Sequence, residues 1–190
     1  GGFEKVYEIG KCFRNEGIDR FHNPDFTMLE FYWAYADYKD LMKMTEEFFI
    51  SLLRGLFKKT KIEYEGKEIN FKKPWPRIEF SELFKKHTGI NLEEAHLNVL
   101  KKEAKKMGVD PVGGKFEVAD EIYKKVCRPK IIQPTFVIHY PASAFPLAKP
   151  LDNDPEKSGS FQMIAGGTEI VKAFSELNDP VLQKQRFKVQ

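Results

Sequence analysis

Residues 26–36 read with a period of two, and this pattern predicts a strand. Leu29, Phe31, Trp33 and Tyr35 fall on one face, which reads as core-facing, and Met28, Glu30, Tyr32 and Ala34 on the other. A second apolar run, residues 3–13, predicts an antiparallel partner strand that ends just before Arg14. Between the two runs lies a polar loop holding Arg14, Asn15, Glu16, His22, Asn23 and Asp25. A loop of this length inside a compact domain is usually functional.

Further along, Leu41, Met44, Phe48, Leu52 and Phe57 make an apolar stripe at helical spacing, which predicts a helix over 38–57. Asp37 stands at its N-cap and Asp40 in its first turn, where negative charge is favourable. Residues 61–71 predict a small hairpin turning at Glu65 and Gly66. Residues 77–80 predict a short strand, with Ser81 capping a helix to about His87. Two more helices are expected over 92–107 and 116–127, joined by a Gly/Pro turn. The apolar run 134–141 predicts a strand, and 151–160 a polar loop. Residues 161–177 predict a hairpin turning at Gly166 and Gly167, and Asp179-Pro180 opens a last helix. The fold class is therefore α+β, an antiparallel sheet flanked by helices.

Composition narrows the picture. A chain of 190 residues suits one domain, and 42% hydrophobic content with 17 Phe is ample for a core. A net charge of +3 does not by itself point to nucleic acid. The two cysteines, Cys12 and Cys127, are too few for a disulfide framework and suit a reducing, cytoplasmic setting. No apolar run reaches membrane-spanning length, so no membrane partner is expected. The first residues, GGFEKVYEIG, have no signal-peptide layout and begin at once with strand-like sequence, as a piece of a longer chain would.

Arg14 is the strongest candidate for chemistry, because a guanidinium fork binds carboxylate or phosphate at two points. The structural alternative is an ion pair with Glu16 or Glu30. The run from Phe13 to Met42, FRNEGID followed by HNPDFTMLEFYWAYADYKDLM, resembles motif 2 of class II aminoacyl-tRNA synthetases, in the wording of the lysyl-tRNA synthetase family. FPLAKP (145–150) and GGTEIVKAFSELNDPVLQKQRF (166–187) resemble later segments of the same family. The likeness runs from Gly1 to about Phe187 and is weakest between about 57 and 130. It implies one catalytic-domain segment over 1–190, with 72–130 a more variable, mostly helical part.

The resemblance implies ATP-dependent activation of L-lysine as lysyl-adenylate and transfer to tRNA(Lys). Arg14 would contact the substrate carboxylate and the α-phosphate. Glu16 would receive the adenine amino group, Phe26 would stack on adenine, and His22 and Asn23 would lie in the loop over the nucleotide. Glu30 would hold the α-ammonium of lysine and Tyr32 would help hold the side-chain ammonium. Phe174 would pack on the lysine methylenes, and Glu176 would pair with the ε-ammonium. Magnesium is expected with ATP. The family holds it with two glutamates on the C-terminal hairpin, matched here by Glu169 and by Gln162, a departure.

Lys172 is a second departure, since the family usually has Asn at this substrate-touching position. A cation there weakens lysine binding unless it pairs with Glu176 or turns away. Lys101, Lys102, Lys105 and Lys106 read as a solvated helix face or, alternatively, as a tRNA-contacting patch. The family's anticodon-binding barrel, its motif 1 at the homodimer interface and its glycine-rich motif 3 have no counterpart in these residues. Two other readings stay open: a ligase that moves lysine onto a protein, and a non-catalytic module that binds an amino acid or nucleotide.

Overall fold

The computed structural model describes residues 2–15, 17–19 and 22–189. The chain forms two compact units, 1–36 and 37–190, each described here by itself.

The first unit is a two-stranded antiparallel ribbon. Strand β1 (Lys5–Phe13) pairs with β2 (Asp25–Trp33) from Lys5 opposite Trp33 to Phe13 opposite Asp25. The backbone amide of Arg14 donates to the Pro24 carbonyl at 2.9 Å, and that of Ala34 to Glu4 at 2.8 Å, so the ladder runs slightly past both strands. The expected core face is not a core within this unit. Phe31 and Trp33 are half-buried, Leu29 is exposed, and Tyr35 lies beyond the strand at φ 62° with its ring in solvent. Two strands have no second layer to cover a face, so alternation alone cannot bury one.

The second unit opens with α1 (Tyr38–Phe57). Asp37 caps it as expected: its side chain accepts from the amides of Lys39 and Asp40, and Asp40 reaches back to the Asp37 amide. Strands β3 (Lys61–Tyr64) and β4 (Lys67–Asn70) form the expected hairpin. Glu65 and Gly66 both take positive φ, as a tight two-residue turn requires. Next come β5 (Arg77–Glu79), α2 (Phe80–Thr88), α3 (Leu97–Lys106) and α4 (Lys115–Ile122), which runs on into a π-helical turn, Tyr123–Cys127. Ser81 does not cap α2. The helix starts two residues earlier than a Ser81 cap would place it, with Glu79 at the N-cap, because Phe80 is drawn wholly into the core and the strand passes straight into the helix.

Strand β6 (Thr135–Ile138) follows, and His139 ends it at φ 57°. Residues 151–160 are not a loop. Strands β7 (Pro150–Leu151) and β8 (Asp154–Ser158) pair there, and β9 (Ser160–Ala165) begins two residues after β8 ends. Such surface strands carry polar side chains on exposed faces and leave no apolar alternation to read. Strand β10 (Thr168–Phe174) returns from β9 through Gly166 and Gly167, both at positive φ. Helix α5 (Pro180–Val189) closes the chain, with the Asp179 carboxylate accepting from the amides of Val181 and Leu182.

The main sheet has the order β10-β9-β6-β5. Its first two pairings are antiparallel, but β5 runs parallel to β6, so the sheet is mixed where a purely antiparallel one was expected. The parallel pair needs a long crossover, and α2, α3 and α4 supply it. Alternate residues of the central strands feed two cores. Val137 and Ile164 face Phe80, Leu100, Ile122 and Tyr123 of the crossover helices. Phe136, Phe161 and Met163 face α1, Phe71 and Trp75. Among the described residues, no helix is long and apolar enough to cross a membrane.

Candidate functional site

The register of the first unit lines up one group of the expected residues. Even-numbered residues of β1 and β2 share a face, because Cys12 sits opposite Phe26, Glu8 opposite Glu30 and Val6 opposite Tyr32. Arg14 continues this face one step past β1. Its guanidinium carbon lies 5.2 Å from the Phe26 ring centroid, a cation–π contact that ties the charge to the aromatic. Arg14, Phe26, Glu30 and Tyr32 therefore stand along one side of the ribbon. Glu8 joins them, and no local pattern in the sequence singles it out. Only the register shows that it stands directly opposite Glu30 across the ladder.

The loop between the strands is organised around Asp19. Its carboxylate accepts from the His22 amide at 2.8 Å, and both of its oxygens lie 2.9 Å from His22 Nδ1. This contact holds the imidazole from one side. Asn23 is exposed beside it. Glu16 lies outside the described residues.

The second group sits on the β9–β10 hairpin. Lys172 is directly opposite Gln162, and Phe174 opposite Ser160. Strict alternation would send Glu169 to the other face from Lys172. A bulge between Glu169 and Val171 instead sets Glu169 opposite Ile164, so Gln162, Glu169, Lys172 and Phe174 all share the face toward the crossover helices. Glu176 follows at the same period, paired by its backbone with Ala148. The segment 145–150 is stitched to this edge: Lys149 donates to the Ser175 carbonyl and Leu177 to the Leu147 carbonyl, both at 2.8 Å. Arg186 of α5 binds the carbonyls of Pro146 and Ala148 at 3.0 and 2.7 Å.

Behind Gln162 are two buried phenols that no local pattern announced. The Tyr140 hydroxyl donates to Gln162 Oε1 at 2.6 Å, and the Tyr123 hydroxyl lies 3.3 Å from that of Tyr140. Burial pushes both phenol pKa values up and keeps them as donors. Burial also raises the Glu169 carboxyl, while the charges of Lys172, Arg128 and Lys124 act against that rise and Asp120 adds to it. Burial raises Glu176 as well. Phe145 stacks on Phe174 with centroids 6.3 Å apart, and the Lys172 ammonium lies 4.3 Å from the Phe145 centroid. Lys172 thus turns to an aromatic face. The buried Cys127 thiol is pushed up to about 11, which makes it a poor nucleophile.

These residues fit a protein-held divalent cation poorly. Gln162 is a neutral amide whose oxygen is already engaged, and an ammonium stands across from it. Among the described residues, no group of three or more His, Cys, Asp or Glu side chains is placed to hold a metal ion.

Comparison with known proteins agrees with the motif. The family described as tRNA synthetases class II (D, K and N) matches residues 1–190. A lysine--tRNA ligase of Pelotomaculum thermopropionicum is 47% identical over 98% of this chain and 38% of its own length. That of Thermosipho africanus is 43% identical over 98% of this chain and 37% of its own. That of Chloroflexus aurantiacus is 42% identical over all of this chain and 39% of its own. The chain thus spans less than two-fifths of these relatives. With the family matched along its whole length, the chain belongs to the class II tRNA synthetases of the D, K and N group.

Proposed function

We propose that the protein activates L-lysine with ATP as lysyl-adenylate and passes it to tRNA(Lys). The alignment of Arg14, Phe26, Glu30 and Tyr32 along one side of the ribbon, in a chain similar throughout to lysine--tRNA ligases, carries this reading. The lysine carboxylate attacks the α-phosphate in line and pyrophosphate leaves. No protein nucleophile is needed, so the protein's work is positioning and charge stabilisation. The Arg14 fork holds the two reacting anions together while Phe26 stacks on the adenine. His22, Asn23 and Glu16 complete the nucleotide side.

Glu30 holds the α-ammonium, with Glu8 adding negative charge across the ladder, and Tyr32 donates toward the side chain. In the second unit, the family likeness assigns Phe174 to the lysine methylenes and Glu176 to the ε-ammonium. An uncharged amino acid would forgo this ion pair and be held more weakly. Magnesium arriving with ATP would neutralise phosphate charge. A homodimer is the expected working state.

Lysine-dependent ATP–pyrophosphate exchange tests the reading. Arg14→Ala should lower exchange by roughly 100-fold or more, the loss that follows removal of one transition-state donor, with an unchanged circular dichroism spectrum. Exchange close to that of the unaltered protein would remove Arg14 from the chemistry. Lysine binding without any exchange would favour a binding module instead.

A further inference from the structure

Lys172 stands directly across the ladder from Gln162, and the bulge after Glu169 turns that carboxylate onto the same face. The three polar groups are therefore grouped by backbone register and not by flexible side-chain reach. Gln162 is buried, and its oxygen is occupied by the Tyr140 hydroxyl at 2.6 Å. Arg128 and Lys124 add positive charge within electrostatic reach of Glu169, against the single like charge of Asp120. The Lys172 ammonium is steadied over the Phe145 ring.

A divalent ion here would have one carboxylate and an engaged amide as ligands, and would meet an ammonium across the strand. Cation sites gain affinity from the number of anionic ligands, and against the family pattern this one has lost an anion at Gln162 and gained a cation at Lys172. We infer that Lys172, on the same face as Gln162 and Glu169, takes the place of a divalent ion as the positive charge of this site, so that the protein holds no divalent ion at these residues. The inference rests on the reading that Gln162 and Glu169 occupy the family's metal positions.

Manganese binding, followed by electron paramagnetic resonance without nucleotide, is the test. The unaltered protein should show no Mn2+ site at these residues. The double variant Gln162→Glu/Lys172→Asn should gain one, binding at least about tenfold tighter, and Glu169→Gln in that background should abolish it. Lys172→Asn alone, at an exposed strand position, should give a smaller gain and serves if the double variant folds poorly. One Mn2+ bound by the unaltered protein as tightly as by the double variant, and lost on Glu169→Gln, would overturn the inference while upholding the metal positions. A double variant with an unchanged melting curve and no gain would overturn the metal positions, and the inference with them.

Discussion

His139 links three elements of the second unit through its ring. Its Nε2 lies 2.8 Å from the Tyr38 hydroxyl at the start of α1, and its Nδ1 lies 3.0 Å from Glu79 Oε1 at the end of β5. Lys157 of β8 donates to the other Glu79 oxygen at 3.2 Å. The His139 hydrogen bond, aided by Lys157, holds the Glu79 carboxyl below its ordinary pKa. A lowered folded-state pKa favours the fold above the ordinary glutamate range, and the benefit is lost as pH falls through the lowered value. Glu79→Gln should therefore lower the melting temperature at neutral pH, by the equivalent of about 1 kcal/mol for a partly exposed pair. The two proteins should converge as the pH is taken from about 7 to about 3. A constant gap across that range would show that charge at Glu79 plays no part. None of this cluster is legible in the sequence, because Tyr38, Glu79, His139 and Lys157 come from four separate elements.

At the scale of elements, local chemistry was the best guide. Helix α1 ends and begins where its apolar stripe and Asp37 placed it, since a capping box uses only residues three apart. Asp37→Ala should cost about 1 kcal/mol, read as a lower midpoint in urea unfolding. An unchanged midpoint would mean that the cap is replaced by water. Both two-residue turns were legible for the same reason, since Gly66 and the Gly166-Gly167 pair announce positive φ by composition, with Glu65 joining Gly66 in the left-handed region. The bulge in β10 was not. Ile170 is an ordinary strand residue, and only pairing with β9 shows that the register skips it. That one residue decides whether Glu169 faces Lys172 or points away.

For the molecule as a whole, Phe80 shows where stability resides. It is fully buried, and its ring packs 4.6 Å from that of Tyr140 and 5.1 Å from that of Tyr123, centroid to centroid. Phe80→Ala should destabilise the second unit by about 3–5 kcal/mol. That is a large share of the roughly 5–15 kcal/mol that holds a domain folded, and chemical denaturation would read it directly. A loss under about 1 kcal/mol would mean that the neighbouring rings close the cavity.

The sequence by itself determined the α+β class, most helices and hairpins, the family, and the identity of nearly every candidate residue. Each depends on contacts between near neighbours or on an ordered motif, and both are written along the chain. Tertiary structure alone decided the parallel pairing of β5 with β6, the surface strands β7 and β8, the opposition of Glu8 to Glu30, and the Tyr140 hydroxyl on Gln162. Those features join residues far apart in sequence, and their partners are selected by sheet register and by the packing of the crossover helices, neither of which leaves a local trace.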